Sequence, residues 1–341
     1  MTSSRRTFLK QASWIGAAAA TAGISAGFAP LARAAAVPVN YGGSAWLGHY
    51  AAYVAMKTDI FTKLGIDCRW QSFSTSSARM GAVMSGNLDI AGTGVVSALA
   101  LMANGAKQFQ LITTPNNFGK SEGLLVHANV KSLADLKGKK IGVTYASSSH
   151  VLLLDVLRQA NMDPTKDVSI INLPATELLT AYRGNQIDAA AAWTPTFDRI
   201  RALPDTKLLL DDSSFSLYKQ FQLTPGPDVL LVRTAFASAH PEVPKAFLQG
   251  IAQANDLMTQ QPEKAAPILM TLTSLSQDEQ MAVLKQTQWY SHAQQKALFV
   301  GNGGKPGPFV DGVQKLSDML VDLKQIDQSP KVADWINATY L

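Results

Sequence analysis

From Val37 onward the chain alternates between short apolar stretches and amphipathic ones, and this alternation constrains its fold more than any other feature. Val37, Val39 and Tyr41 alternate as a strand. Residues 45–63 are expected to be helical and 66–71 extended. Met80, Val83 and Met84 share one helical face that Gly86 would cap, 88–91 suits a buried strand, 95–104 a helix ending at Gly105, and 108–113 another strand. A βαβαβαβ order of this kind predicts a mostly parallel sheet with helices on both faces. A second unit repeats the pattern. It has strands at 124–127 and 140–144 around a short helix at 133–137, a helix at 149–160, a strand at 168–173, a helix at 175–183, a strand at 187–193, a helix near 196–203 and a strand at 207–211. After Thr224-Pro225-Gly226-Pro227 comes an apolar strand at 228–233, and the remainder reads as helical. Pro241 suits the first turn of the helix carrying Phe247 and Leu248, and Ser276 and Glu279 have the spacing of a capping box. Gly86–Ala91 and Gly184–Ala189 echo each other, as two lobes of one design would, and as helix–glycine–strand junctions often do. With no low-complexity linker after residue 36, the lobes are expected to be joined by short crossings near 119–123 and 226–229.

At 341 residues there is room for two or three domains, and 47% hydrophobic against 16% charged residues excludes a disordered chain. The single cysteine, Cys68, excludes an internal disulfide, a thiolate zinc site, an iron–sulfur cluster and a C-x-x-C-H haem site. The net charge of +5 is concentrated at one end. Residues 1–34 hold Arg5, Arg6, Lys10 and Arg33 and no acid. Taking those four from the 30 basic residues leaves 26 against 25 acidic ones, which is no footprint for nucleic acid.

That same N-terminal segment reads as an address. Ser4-Arg5-Arg6-Thr7-Phe8-Leu9-Lys10 precedes an uncharged, Ala- and Gly-rich run at 11–32 and small residues around Ala34 and Ala36, the plan of a twin-arginine export signal with its cleavage site. Gly16, Gly23, Gly27 and Pro30 interrupt the run, which argues against the alternative of a membrane anchor, and no cysteine near the junction offers a site for lipidation. Gly23-Ile24-Ser25-Ala26-Gly27 fits a nucleophile elbow but lies inside this signal with no strand before it. Export with cleavage near Ala34 or Ala36, leaving a soluble periplasmic protein, is therefore expected.

Several segments, in their order and spacing, carry a family likeness: Gly65-Ile66-Asp67, Met84 to Ile90, Gly119 to Val126, Leu133 to Ile141, Ser147 to His150, Ala192-Trp193-Thr194-Pro195 and Asp228 to Val232. Together they resemble the periplasmic substrate-binding proteins of ABC importers for taurine, alkanesulfonates and nitrate, most closely the taurine-binding branch. The resemblance implies an α/β fold of the two-lobed, type II periplasmic-binding-protein kind, each lobe a mostly parallel sheet flanked by helices, with a two-strand hinge. Lobe 1 would comprise 37–121 and 230–341, and lobe 2 residues 124–228. It further implies a monomer without cofactor or metal, whose partners are a small-molecule ligand and an inner-membrane permease with its ATPase.

The candidate ligand-binding residues lie where strands meet helices. Ser147, Ser148 and Ser149 open a helix, where free amides and the positive end of the helix dipole suit an anion; an ordinary N-cap needs only one such serine. His150 follows them, as a contact or as packing. Thr75 and Ser76 in one loop and Thr93 in the next should face the cleft from lobe 1. There the sequence departs from the taurine pattern: Ser74 and Ser76 replace an acid and a glycine, and Val95 and Val96 two serines. Glu122 and Asp228 match acids of the taurine branch and flank the two crossings, so they suit an ammonium group. Trp193 ends a run of small residues, and Trp46 resembles the aromatic entry of nitrate-type relatives. The function that follows is non-enzymatic binding of taurine or a related short sulfonate or zwitterion. The alternatives are a nitrate-type anion binder, a sensor binding the same solute, and a pyrimidine-synthase-like enzyme, which the lone Cys68 and the scattered histidines at 49, 127, 150, 240 and 292 disfavour.

Overall fold

The computed structural model describes residues 36–341. The segment expected to direct export, with the nucleophile-elbow match inside it, lies outside the described residues. Twelve strands follow in chain order: β1 Val37–Gly43, β2 Ile66–Ser72, β3 Ile90–Gly94, β4 Phe109–Thr113, β5 Asn116–Asn117, β6 Glu122–His127, β7 Lys140–Val143, β8 Ser169–Asn172, β9 Ala189–Trp193, β10 Thr206–Asp211, β11 Asp228–Arg233 and β12 Gln288–Trp289. They build two five-stranded sheets, ordered β2-β1-β3-β11-β4 and β10-β6-β9-β7-β8, and a two-stranded β12-β5 ribbon.

Four of the five strands in each sheet run the same way, the mostly parallel arrangement the alternation predicts, and one strand in each runs against them. β1 is parallel to β2 and β3, and β7 to β8 and β9, but β11 runs antiparallel to β3 and β4, and β6 antiparallel to β9 and β10. The reason is topological. β6 and β11 are the strands on which the chain enters each sheet after crossing from the other. They enter at the edge where the parallel strands end and therefore run against them. In register, Asp228 opens β11 opposite Gly94, the last residue of β3, and Glu122 opens β6 opposite Trp193, the last residue of β9. An α/β sheet binds its ligand outside the carboxyl ends of its parallel strands. The two crossing strands thus each deliver their first side chain, a carboxylate, to that edge.

The helix expected over 45–63 is divided into a 3₁₀ turn at Leu47–His49 and helices at Tyr50–Lys57 and Ile60–Lys63. Thr58 makes the second break: its backbone is extended and its hydroxyl donates to the Val54 carbonyl at 2.9 Å. The short helix expected at 133–137 is a 3₁₀ turn, Leu133–Leu136. Ser276 and Glu279 close the expected capping box, and Ser147 is the N-cap of the serine run, accepting from the His150 amide; Thr75 proves to be a cap as well, accepting from the Ala78 amide.

One large core surrounds the first sheet, with Phe61 and Phe247 stacked at 4.6 Å, and smaller cores cover each face of the second. The helix Ser148–Gln159 belongs to both. Val151, Leu152 and Val156 pack into the first core and Leu153 and Leu157 into the second, so this helix is buried on nearly every side. Its buried Asp155 is satisfied by the Ser216 amide and hydroxyl and by the Gln159 amide.

Candidate functional site

Between the carboxyl edges of the two sheets lies a cavity of about 700 Å³. From the first sheet it is lined by Trp46, Thr75, Ser76, Arg79 and Asp228, and from the second by Tyr145, Ser147, Ser148 and Trp193. This volume is in the range of small-molecule sites.

Asp228 is 2% exposed and takes a 2.7 Å hydrogen bond from the Trp46 indole Nε1. Burial pushes its carboxyl up to about 7. The indole bond and the nearby Arg79 guanidinium oppose the shift, and the charge of Glu122 adds to it. The fold reserves the space it occupies. Gly48, in the 3₁₀ turn, has no side chain, and a Cβ there would stand 1.9 Å from Asp228 Oδ2. Trp46 meets Phe118 edge to face at 5.3 Å, which fixes the indole that holds the carboxylate.

Glu122 is fully buried and lies behind the wall instead of on it. Its Oε2 accepts the hydroxyls of Ser148 at 2.7 Å and Ser149 at 2.8 Å, while Oε1 has no partner among the described residues. Burial raises its pKa and the two serine bonds hold it down. Asp212 lies near enough for the Glu122 charge to act on it. It is buried, it accepts the Lys120 amide, and its pKa too is pushed up by burial and by Glu122. The crossing from β5 into β6 therefore rests on a buried acidic pair.

Of the residues expected to contact ligand, Trp46, Thr75, Ser76, Ser147, Ser148, Trp193 and Asp228 line the cavity. Thr93, Glu122, Ser149 and His150 do not. Thr93 is buried within β3, one residue short of the lining Gly94. Ser149 faces Glu122. His150 stacks on Tyr145 at 4.6 Å, and its burial lowers its pKa. The serine cradle is thereby altered. The Ser147 hydroxyl donates to the Thr144 carbonyl at 2.6 Å, and those of Ser148 and Ser149 go to a carboxylate, so none is left directed at an anion.

Arg79 is the residue that sequence reading passes over. It is 3% exposed, lines the cavity, and lies four residues past the Thr75 cap. The apolar face of its helix draws attention to Met80 and Val83 instead. The signal was present all the same: a cation near a helix N-terminus opposes the dipole and needs another reason to be there. Among the described residues no cluster of three or more His, Cys, Asp or Glu is arranged to hold a metal ion, and no helix is long and apolar enough to cross a membrane.

Two mixed sheets with a cavity along their carboxyl edges define a periplasmic-binding-protein fold, and solved structures show the same. The periplasmic aliphatic sulphonate binding protein of Escherichia coli matches with a TM-score of 0.74 at 21% identity, over 89% of this chain and 93% of that one. The periplasmic nitrate-binding protein of Synechocystis PCC 6803 matches with a TM-score of 0.67 at 12% identity, over 86% and 83%. In sequence, residues 46–265 match the family described as NMT1/THI5 like, and the chain belongs to that family. Among its relatives, the taurine-binding periplasmic protein of Escherichia coli (strain K12) is 29% identical over 275 residues, 78% of this chain and 82% of that protein.

Proposed function

We propose that the protein is the periplasmic solute-binding component of an ABC importer and that it takes taurine or a related short zwitterion into the cavity between its sheets. The observation that carries this reading is Asp228, a buried carboxylate on the cavity wall, anchored by one indole and with no cation within 4.0 Å among the described residues. An ammonium group would supply a counter-charge in direct contact, where Arg79 acts only from beyond 4.0 Å, by a charge-assisted hydrogen bond. Glu122, behind Ser148, adds negative potential on the opposite wall. Trp46 and Trp193 line the same cavity, where aromatic rings can attract the cation. The taurine-binding relative supports the solute class, and the N-terminal signal supports export. Closing of the two lobes over the solute would present the surface that a membrane permease and its ATPase read.

Thermal-shift screening of the protein against taurine, ethanesulfonate, nitrate and short amino acids, followed by calorimetry, tests the reading. A ligand at a hundred times its dissociation constant should add about 2.7 kcal/mol of stability. Taurine is expected to stabilise the protein most and nitrate least, since nitrate offers Asp228 nothing. Preferential stabilisation by nitrate would favour an anion binder, and no effect from any sulfonate or amino acid would overturn the reading.

A further inference from the structure

Arg79 is a buried cation with no anion in contact, the Asp228 charge acting on it from beyond 4.0 Å. Its guanidinium donates to the Ser76 hydroxyl at 3.1 Å, while Nε is buried and has no hydrogen-bond partner among the described residues. Among those residues Arg79 forms no ion pair within 4.0 Å, whereas Arg233, at the far end of the same sheet, pairs with Asp89 at 2.8 Å. The fold nonetheless builds a slot for its stem. Gly42 in β1 lies so close that a Cβ there would meet Arg79 Cγ at 3.0 Å. Placing a charge out of water without a contacting anion costs several kcal/mol, and the anionic group of a ligand in this cavity would supply that contact.

We propose that Arg79, together with the Ser76 hydroxyl and the N-terminal amides of the Ser76–Met84 helix, holds the anionic group of the bound solute, a sulfonate or carboxylate. This rests on reading the cavity as the solute site and goes beyond it. Both charges of the zwitterion are then read by the first sheet, the anion by Arg79 and the ammonium by Asp228, and the second sheet closes over the solute with Tyr145 and Trp193. The Ser147–Ser149 segment, where helix geometry alone would place the anion, is unsuited to it. Its hydroxyls are committed, and the Glu122 carboxylate behind them repels an anion.

The test uses the mature protein with Arg79→Met and Arg79→Lys, each titrated calorimetrically with taurine and with ethanesulfonate, and each melted without ligand. Loss of hydrogen bonds to a charged group predicts a roughly ten- to hundredfold weakening of both ligands in Arg79→Met, with Arg79→Lys intermediate. The ligand-free Arg79→Met protein is expected to melt higher than the wild type, because the buried charge is gone. Unchanged affinity for both ligands, or a lower melting temperature with unchanged affinity, would make Arg79 a structural residue and overturn the assignment. Should Arg79→Met fail to fold, the Nε–H resonance of Arg79 in the wild type, identified by its absence in Arg79→Lys, decides the matter. It is expected to shift on adding ethanesulfonate, and a resonance unmoved at saturation overturns the assignment. Wild-type protein that binds neither probe would instead overturn the solute reading itself.

Discussion

Asp228 carries its charge at a cost, and two consequences follow at the scale of the single residue. Removing the charge while keeping the shape should hurt only ligands with an ammonium. Asp228→Asn is expected to weaken taurine by roughly ten- to a hundredfold and ethanesulfonate much less, as calorimetry on the four protein–ligand pairs would show. Equal losses would mean that Asp228 supports the crossing without reading the amine. The second consequence is a pH dependence. The carboxyl sits at about 7 in the fold against about 3.9 in an unfolded chain, so the native state holds more protons between those values. Stability is therefore full below the unfolded pKa and falls as pH rises toward 7; the raised pKa values of Glu122 and Asp212 act in the same direction. The ligand-free protein should melt higher near pH 5 than near pH 8, while taurine affinity should rise from about pH 6 to 8 as Asp228 ionises. A melting temperature that rises steadily over that range would contradict the assignment. Asp228 itself was legible in the sequence because it follows a Pro-Gly-Pro loop and matches a family acid. Arg79 was passed over, because its only mark in the sequence is a cation near a helix N-terminus, and its burial on the cavity wall is a property of packing that the periodicity does not show.

The element that governs Asp228 is the 3₁₀ turn Leu47–His49 with Trp46 before it. It presses Gly48 against the carboxylate and the indole onto it. Gly48→Ala should therefore lower taurine affinity as much as Asp228→Asn without touching the chemistry of the site. Calorimetry alongside an unchanged far-ultraviolet circular dichroism spectrum would show this, and wild-type affinity would mean that Asp228 has room to move. In the sequence this turn merges into the helix expected over 45–63, because Ala51, Ala52 and Val54 keep the apolar pattern running and the 3₁₀ segment has no glycine or proline break of its own beyond Gly48. The strands were more legible than their directions. Apolar runs at 124–127 and 228–233 announce β6 and β11, but nothing local says that a strand arriving from another sheet runs against its neighbours. Ser147–Ser149 illustrates the same limit from the other side. The cap is visible in the sequence, but Glu122's claim on the hydroxyls depends on a contact 26 residues away in the chain.

At the scale of the molecule, the chain crosses from the first sheet to the second between β4 and β6 and returns between β10 and β11, and the helix Ser148–Gln159 packs into the cores of both. At the back, Arg158 approaches Asp322 at 3.9 Å and Phe221 packs against Gly312, contacts that a rotation about the crossings would rearrange. The lobe boundaries proposed at 121–124 and 228–230 place the crossings next to the first residues of β6 and β11. The order of the elements in the sequence was sufficient to expect two linked sheets; that the helix Ser148–Gln159 packs into both cores was not legible, because the sequence does not say which apolar residues face which sheet. On the proposed reading, the two sheets approach each other over a solute held between Asp228 on one side and Trp193 on the other. Small-angle scattering of the mature protein with and without saturating taurine, saturation being set by calorimetry, tests this most directly. A smaller radius of gyration with taurine is the predicted result, and an unchanged radius at full occupancy would contradict a clamp that closes on its solute.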